Sequence, residues 1–200
     1  SFAPAWAMLA RVYSLTASNA AARQDSVENI RQSVKSILDK AEMAGQTAIK
    51  LDPQNPGGYW GLAYVASFRG QWTAAEDYSK QALALDPNDA DARSIYGNTL
   101  LRTGHLRQSL STMQRLQTLD PLIPGYNIIT VIAMLANKQT EAAIASLEAI
   151  PATNARRGQF LARAYAMEGR YGEAADTLLL SRNGARNPAI QKIIEEDARL

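Results

Sequence analysis

Cysteine is absent from the 200 residues. That excludes disulfides, thiolate metal sites and cysteine nucleophiles, and it fits either an oxidising or a reducing compartment. Histidine occurs once, at His105 beside Gly104 in an expected turn. No triad can be built on it, and a solvated imidazole is its expected state. A phosphate-binding glycine loop is missing too, because Gly57 and Gly58 follow Pro56 without a Lys-Ser or Lys-Thr after them. The run Glu195, Glu196, Asp197 reads as a solvated helix face, and Arg156 with Arg157 as ordinary surface cations. No catalytic residue, metal site or cofactor is therefore expected. Charge of one sign is also lacking: 21 Lys plus Arg against 19 Asp plus Glu, scattered along the chain, make no basic field for nucleic acid or an anionic membrane. The longest strongly apolar stretch, Tyr126 to Ala136, is broken by Asn127 and Thr130 and falls short of the roughly 20 residues that span a bilayer. Direct membrane insertion is not expected; the chain is expected to be soluble, with its compartment left open and the cytoplasm slightly favoured.

What is present is enough apolar content, 46%, to bury a sizeable core, and one recurring tripeptide. Leu-Asp-Pro stands at 51–53, 85–87 and 119–121, with the same interval each time. Between the first two copies, Tyr59, Leu62, Ala63 and Ala66, then Ala75 and Ala82, fall at helical spacing and predict two amphipathic helices with a turn between them. Gly70 occupies the turn, where the chain needs a residue that tolerates the left-handed conformation, and Gly104 returns one such interval later. Pro87 stops the second helix, because it lacks an N–H and fixes φ.

These residues resemble the tetratricopeptide repeat, a 34-residue helix-turn-helix unit with an aromatic residue, Leu-Gly, a later Ala and a closing Pro in set order. The resemblance implies an all-α, right-handed superhelical solenoid of such units with a polar capping helix at its end. Five units are read: 3–55, 56–89, 90–123, 124–154 and 155–184, with a cap at 187–199, together one domain spanning 1–200. The first has Trp6, Leu9, Ala10 and Tyr13, then Ala41, Ala48 and Pro53. The fourth is degenerate, with Asn127, Thr130 and Val131 in place of the aromatic, Leu and Gly, and it breaks early at Pro151.

The first unit carries 19 residues beyond the plan, read as an insertion at 17–35. Residues 17–25 are expected to be a loop, and Asp25 with Glu28 a capping box. From there the apolar spacing predicts one helix of about 26 residues, ~39 Å long, whose first half overhangs. Its stripe of Val27, Ile30, Val34 and Ile37 either packs on the N-terminal helix or forms an association surface, for a preceding domain or for a second copy in a homodimer. Ser1 is preceded by no Met, basic region or signal-type apolar run, so the chain is expected to be a piece of a longer protein or a processed one. The long first segment followed by regular units is similar to the C-terminal repeat domains of bacterial class III adenylate cyclases and winged-helix regulators. None of the catalytic or wing residues of those partner domains is present.

In tetratricopeptide proteins the concave face is lined by the first helix of each unit. The phase places on that stripe Arg11, then Trp60, Tyr64 and Phe68, then Asn98 and Arg102, then Ile128, Ile132 and Leu135, and finally Gln159, Arg163 and Met167. Only Asn98 matches the Lys and Asn clamp that repeats of this family use on acidic C-terminal tails. The expectation is a non-catalytic interaction or sensory module that receives a largely apolar protein segment, in trans or from an upstream domain of the same polypeptide. The competing expectation is the regulatory part of a signalling enzyme, such as a nucleotide cyclase, with its chemistry upstream.

Overall fold

The computed structural model describes residues 2–21, 25–119, 124–151, 154 and 156–180. Among these residues there are ten α-helices and no strand: α1 Ala3–Ala21, α2 Val27–Leu51, α3 Pro56–Phe68, α4 Trp72–Leu85, α5 Ala90–Arg102, α6 Leu106–Leu119, α7 Pro124–Ala136, α8 Thr140–Glu148, α9 Arg157–Met167 and α10 Tyr171–Leu180. The starts of α3, α5 and α7 keep the interval of the tripeptide, and so do those of α4, α6 and α8. The expected cap at 187–199 lies outside the described residues. The chain forms two compact units, 1–119 and 120–200.

The Leu-Asp-Pro turn repeats because its aspartate serves two elements at once. Asp52 and Asp86 leave the helical region as C-caps, with φ of −151° and −133°, and each still donates its N–H to a last-turn carbonyl, Ala48 O and Ala82 O. Their carboxylates then accept the backbone N–H two residues on, from Gln54 at 2.9 Å and Asn88 at 3.0 Å, the Asx turn that short acidic side chains favour. Pro53 and Pro87 prevent the helix from continuing. Three residues after each aspartate an N-cap opens the next helix: Asn55 accepts from Gly57 N and Asp89 from Ala92 N.

In the hairpins from α3 onward the turn is a Schellman motif, in which the residue after the helix adopts the left-handed conformation and two carbonyls of the last turn are satisfied. Gly70 has φ 73°, with Gln71 N donating to Ala66 O at 2.9 Å, and Gly104 has φ 84°, with His105 N donating to Leu100 O at 2.9 Å. Gly169 repeats it at φ 74°. One repeat after Gly104 stands Lys138, at φ 59°, with Gln139 N on Met134 O at 3.0 Å. The fourth hairpin thus keeps the turn after losing its glycine.

Small residues set the helix contacts inside the first unit. A Cβ on Gly61 would come within 2.7 Å of the Ala10 Cβ, so α1 and α3 meet with no side chain between them. Ala75 and Ala82 are fully buried, and Ser79 bonds its hydroxyl back to Ala75 O at 2.7 Å. Between α5 and α6, Leu100, Met113 and Leu116 are fully buried, each contributing roughly 1.5–3 kcal/mol. In the second unit Ile128, Val131 and Leu135 of α7 enter a core with Ala143, Ile144, Leu147, Leu161 and Tyr165, and Ile132 packs against it. That core accounts for a helix apolar nearly all round.

The extra length of the first hairpin is distributed otherwise than the sequence suggests. Residues 17–21 are not loop but the end of α1, which has 19 residues against 13 in α3, while α2 has 25 against 14 in α4. Both helices lengthen together, so α2 has a partner along much of its first half. Ala17 of α1, Leu38 and Ala41 of α2 and Val65 of α3 form one cluster, with Tyr13, Val34 and Ile37 against it. The helix start also moves by one residue. Ser26, not Asp25, is the N-cap and accepts from Asn29 N, while Asp25 accepts from Ser26 N and from the Asn29 amide. With Ser26 as the cap, the orphan donor satisfied is Asn29 N, one residue beyond the Glu28 N–H that an Asp25 cap would take.

Candidate interaction face

The first helices of the first unit lie side by side, α1 against α3 and α3 against α5. On α3 the side chains of Trp60, Tyr64 and Phe68, four residues apart, form a ladder. The ring centroids are 5.5 Å apart for Trp60 and Tyr64, then 6.3 Å for Tyr64 and Phe68, whose planes lie 26° apart. Exposure rises along it. Trp60 is buried with Ala82 and Ala92, Tyr64 is half-buried, and Phe68 is 40% exposed. Trp60 thus departs from the open stripe expected of it: α5 and α4 close over the indole, and only the Phe68 end of the ladder is free.

Two residues of α1 hold the inner part of the ladder. The Arg11 guanidinium sits 5.1 Å from the Trp60 ring centroid, in cation–π range, and pairs with the Asp91 carboxylate of α5. The Ser18 hydroxyl bonds the Tyr64 hydroxyl. Beside Arg11 and Trp60 lies a cleft of about 170 Å³, bordered also by Met8, Asn55 and Asp89. Burial pushes the Asp89 carboxyl above its ordinary value, against the opposing Ala92 N–H bond, with the nearby Asp91 and Asp86 adding to the rise. Further along, Arg102 is exposed with its guanidinium 5.3 Å from the Trp72 ring centroid, and Asn98 is half-buried.

The remaining candidates fall in the second unit. Ile128 and Leu135 are core residues there, which removes them from an open stripe, because α8 and α9 supply the apolar cover that α7 needs. Ile132 is half-buried, while Gln159, Arg163 and Met167 are exposed on α9. Of the α2 stripe, Val34 and Ile37 are packed, Ile30 is half-buried and Val27 is 66% exposed. Val34 and Ile37 thus pack within the chain, in one cluster with Ala17 of the lengthened α1.

Sequence reasoning missed Asp91, Ser18, Trp72 and Asp89 on this face. Their roles are set by partners far away in the chain, as in the pair Arg11 and Asp91, 80 residues apart, and no periodicity reports such a pairing. His105 is exposed in its turn, with Nδ1 3.0 Å from the Thr103 hydroxyl. Arg157 spends its Nε–H on Leu147 O at 2.9 Å, closing the end of α8. Among the described residues no group of three His, Asp or Glu side chains is placed to hold a metal, and no helix is long and apolar enough to cross a membrane.

Helix hairpins that recur at one fixed interval from α3 to α8, with a Schellman turn inside each and an Asx turn before α3 and before α5, define a tetratricopeptide repeat solenoid, the class of scaffold used for protein–protein interaction. Residues 69–122 match the tetratricopeptide repeat family's model, and solved tetratricopeptide proteins share the fold. A thermophilic repeat protein of Thermus thermophilus is 19% identical, with a TM-score of 0.63 over 86% of this chain and 95% of its own. MamA from Desulfovibrio magneticus RS-1, residue 41 to its end, is 15% identical, with a TM-score of 0.64 over 84% and 90%. YrrB, described as having an unusual peptide-binding site, is 17% identical, with a TM-score of 0.63 over 86% and 92%. No curated protein matches the chain in sequence.

Proposed function

We propose that the first unit is a non-catalytic interaction module that seats an apolar protein segment across α3 and α5. Phe68 is its anchor, Tyr64 the floor beside it, and Asn98 and Arg102 the polar edge. The observation that carries this reading is the stacked Tyr64–Phe68 pair, which ends in a large ring 40% exposed on a helix otherwise built into the core. A rigid, partly exposed aromatic on a preorganised helix is the kind of side chain that concentrates binding energy at interfaces. Arg102 stands at the phase of Phe68 one unit on and offers a guanidinium to a carboxylate or backbone carbonyl of the bound segment. The peptide-binding site described for YrrB supports a polypeptide ligand for this fold. In the second unit Ile132, Gln159, Arg163 and Met167 form a separate candidate contact row.

The test uses peptides selected from a random display library on the wild-type chain. Phe68→Ala is expected to weaken the selected peptides by about thirtyfold, the ~2 kcal/mol of an aromatic hot spot, and Arg102→Ala by a smaller factor. The urea midpoint should stay near that of wild type, because Phe68 is not core. Selected peptides that bind Phe68→Ala with unchanged affinity would remove the reading.

A further inference from the structure

The outer face of α1 is apolar and uncovered: Met8, Leu9, Val12 and Leu15 are all exposed, Val12 at 49%. The repeat phase shows what such a row does elsewhere in the chain. Ala3, Pro56 and Ala90 open the first helices of successive hairpins, so Val12 stands where α3 has Val65 and α5 has Thr99, and Met8 stands where α3 has Gly61. Those equivalents are buried, Val65 at 2% and Thr99 at 0%. Val65 is buried by the hairpin that comes before. Val65 packs on Ala17 of α1 and on Leu38 and Ala41 of α2, and Gly61 meets Ala10 of α1. α5 meets the preceding α3 and α4 at a different phase, through Ala92 clustered with Trp60 and Ala82. Met8, Leu9 and Val12 thus stand at the hairpin-to-hairpin contact surface of this fold, with no described hairpin against them, whereas Leu15 stands at the phase of the exposed Phe68 and Arg102.

We infer that this face is a docking site for one further tetratricopeptide-type hairpin, carrying alanine at its contact positions as α2 and α4 do. Size complementarity selects this occupant over a second copy of α1. The internal contacts include small side chains, Ala17 and Ala41 beside Leu38 against Val65 and Ala10 against Gly61, whereas two α1 faces would oppose Met8 and Val12 only with side chains as bulky as themselves. Three large apolar groups side by side on one helix are also the kind of surface that solenoids cover at their ends.

The experiment fuses one whole repeat of this chain, residues 54–87, directly ahead of Ser1. Ser1 stands at the phase of Gln54 and Asn88, so a junction after the Pro87 copy keeps the register. The fused chain is expected to melt at least about 5 °C above the unfused one. Val12→Asp should cancel that gain while shifting the unfused chain by less than about 2 °C, and Met8→Asp provides a second reading of the same contact. No gain on fusion, or an equal loss from Val12→Asp in both proteins, overturns the inference. Sedimentation velocity showing the unfused chain as a dimer that Val12→Asp dissociates overturns it as well, since the occupant would then be a second copy.

Discussion

Arg11 lies with its guanidinium 5.1 Å from the ring centroid of Trp60, and the same group pairs with Asp91, so one side chain of α1 ties together three neighbouring first helices. Arg11 is 45% exposed at its side chain, and a cation–π contact there contributes about 0.5–1 kcal/mol, with an exposed ion pair adding at most about 1. Arg11→Ala is therefore expected to lower stability by about 1 kcal/mol in urea titration. Arg11→Lys should recover only part of it, because a compact ammonium does not stack and pair at once. An Arg11→Lys protein as stable as wild type would show that charge alone carries the contact.

Lys138 holds a left-handed backbone, φ 59°, at the position where Gly70 and Gly104 serve the preceding hairpins. A side chain with a Cβ costs roughly 1 kcal/mol there, partly offset by the greater unfolded-state entropy of glycine. Lys138→Gly is expected to raise the stability of the second unit by several tenths of a kcal/mol to about 1, and Lys138→Val to lower it by more, because β-branched residues resist this region. Chemical denaturation followed by circular dichroism reads both.

Asp89 caps α5 with its carboxylate on Ala92 N at 2.9 Å, yet burial raises its pKa above the ordinary value of 3.8. A raised folded-state value means that the native chain binds the proton more readily than the unfolded one, so stability falls as pH rises from about 3.8 through the folded value. Above that window the penalty is fully present. Asp89→Asn keeps a good N-cap without the charge and is expected to raise the melting temperature at pH 7, with the advantage disappearing as pH falls to the acid end of the window. An advantage that stays constant with pH would assign the gain to packing instead.

Gly61 has no room for a methyl group: its added Cβ would lie 2.7 Å from the Ala10 Cβ, a short side chain with nowhere to turn. Alanine would gain about 1 kcal/mol of helix propensity, but overpacking costs typically about 1–3 kcal/mol. Gly61→Ala is expected to melt lower than wild type, and the double variant with Ala10→Gly to recover much of the loss. A single variant that melts higher would show that α1 and α3 separate without cost.

The register of the helices was legible in the sequence because its causes are local. Leu-Asp-Pro carries its own turn chemistry within a few residues, and glycines at 70 and 104 mark left-handed turns that need no distant partner. The spacing thus located the hairpins, and even the degenerate fourth one, whose α8 has 9 residues before Pro151. The left-handed turn at Lys138 is as local as those of Gly70 and Gly104, but no glycine marks it in the sequence. The candidate face was only partly legible, for Trp60, Tyr64 and Phe68 were placed on one stripe by their spacing, but their exposures differ along the ladder. Burial belongs to what covers a side chain. Trp60 is closed by Ala82 and Ala92, Val34 and Ile37 by a lengthened α1, and Ile128 and Leu135 by α8 and α9. The same limit hid the Asp91 that binds Arg11 and the partition of the extra residues between α1 and α2. Both depend on contacts between segments distant in the chain, which the tertiary structure alone assembles.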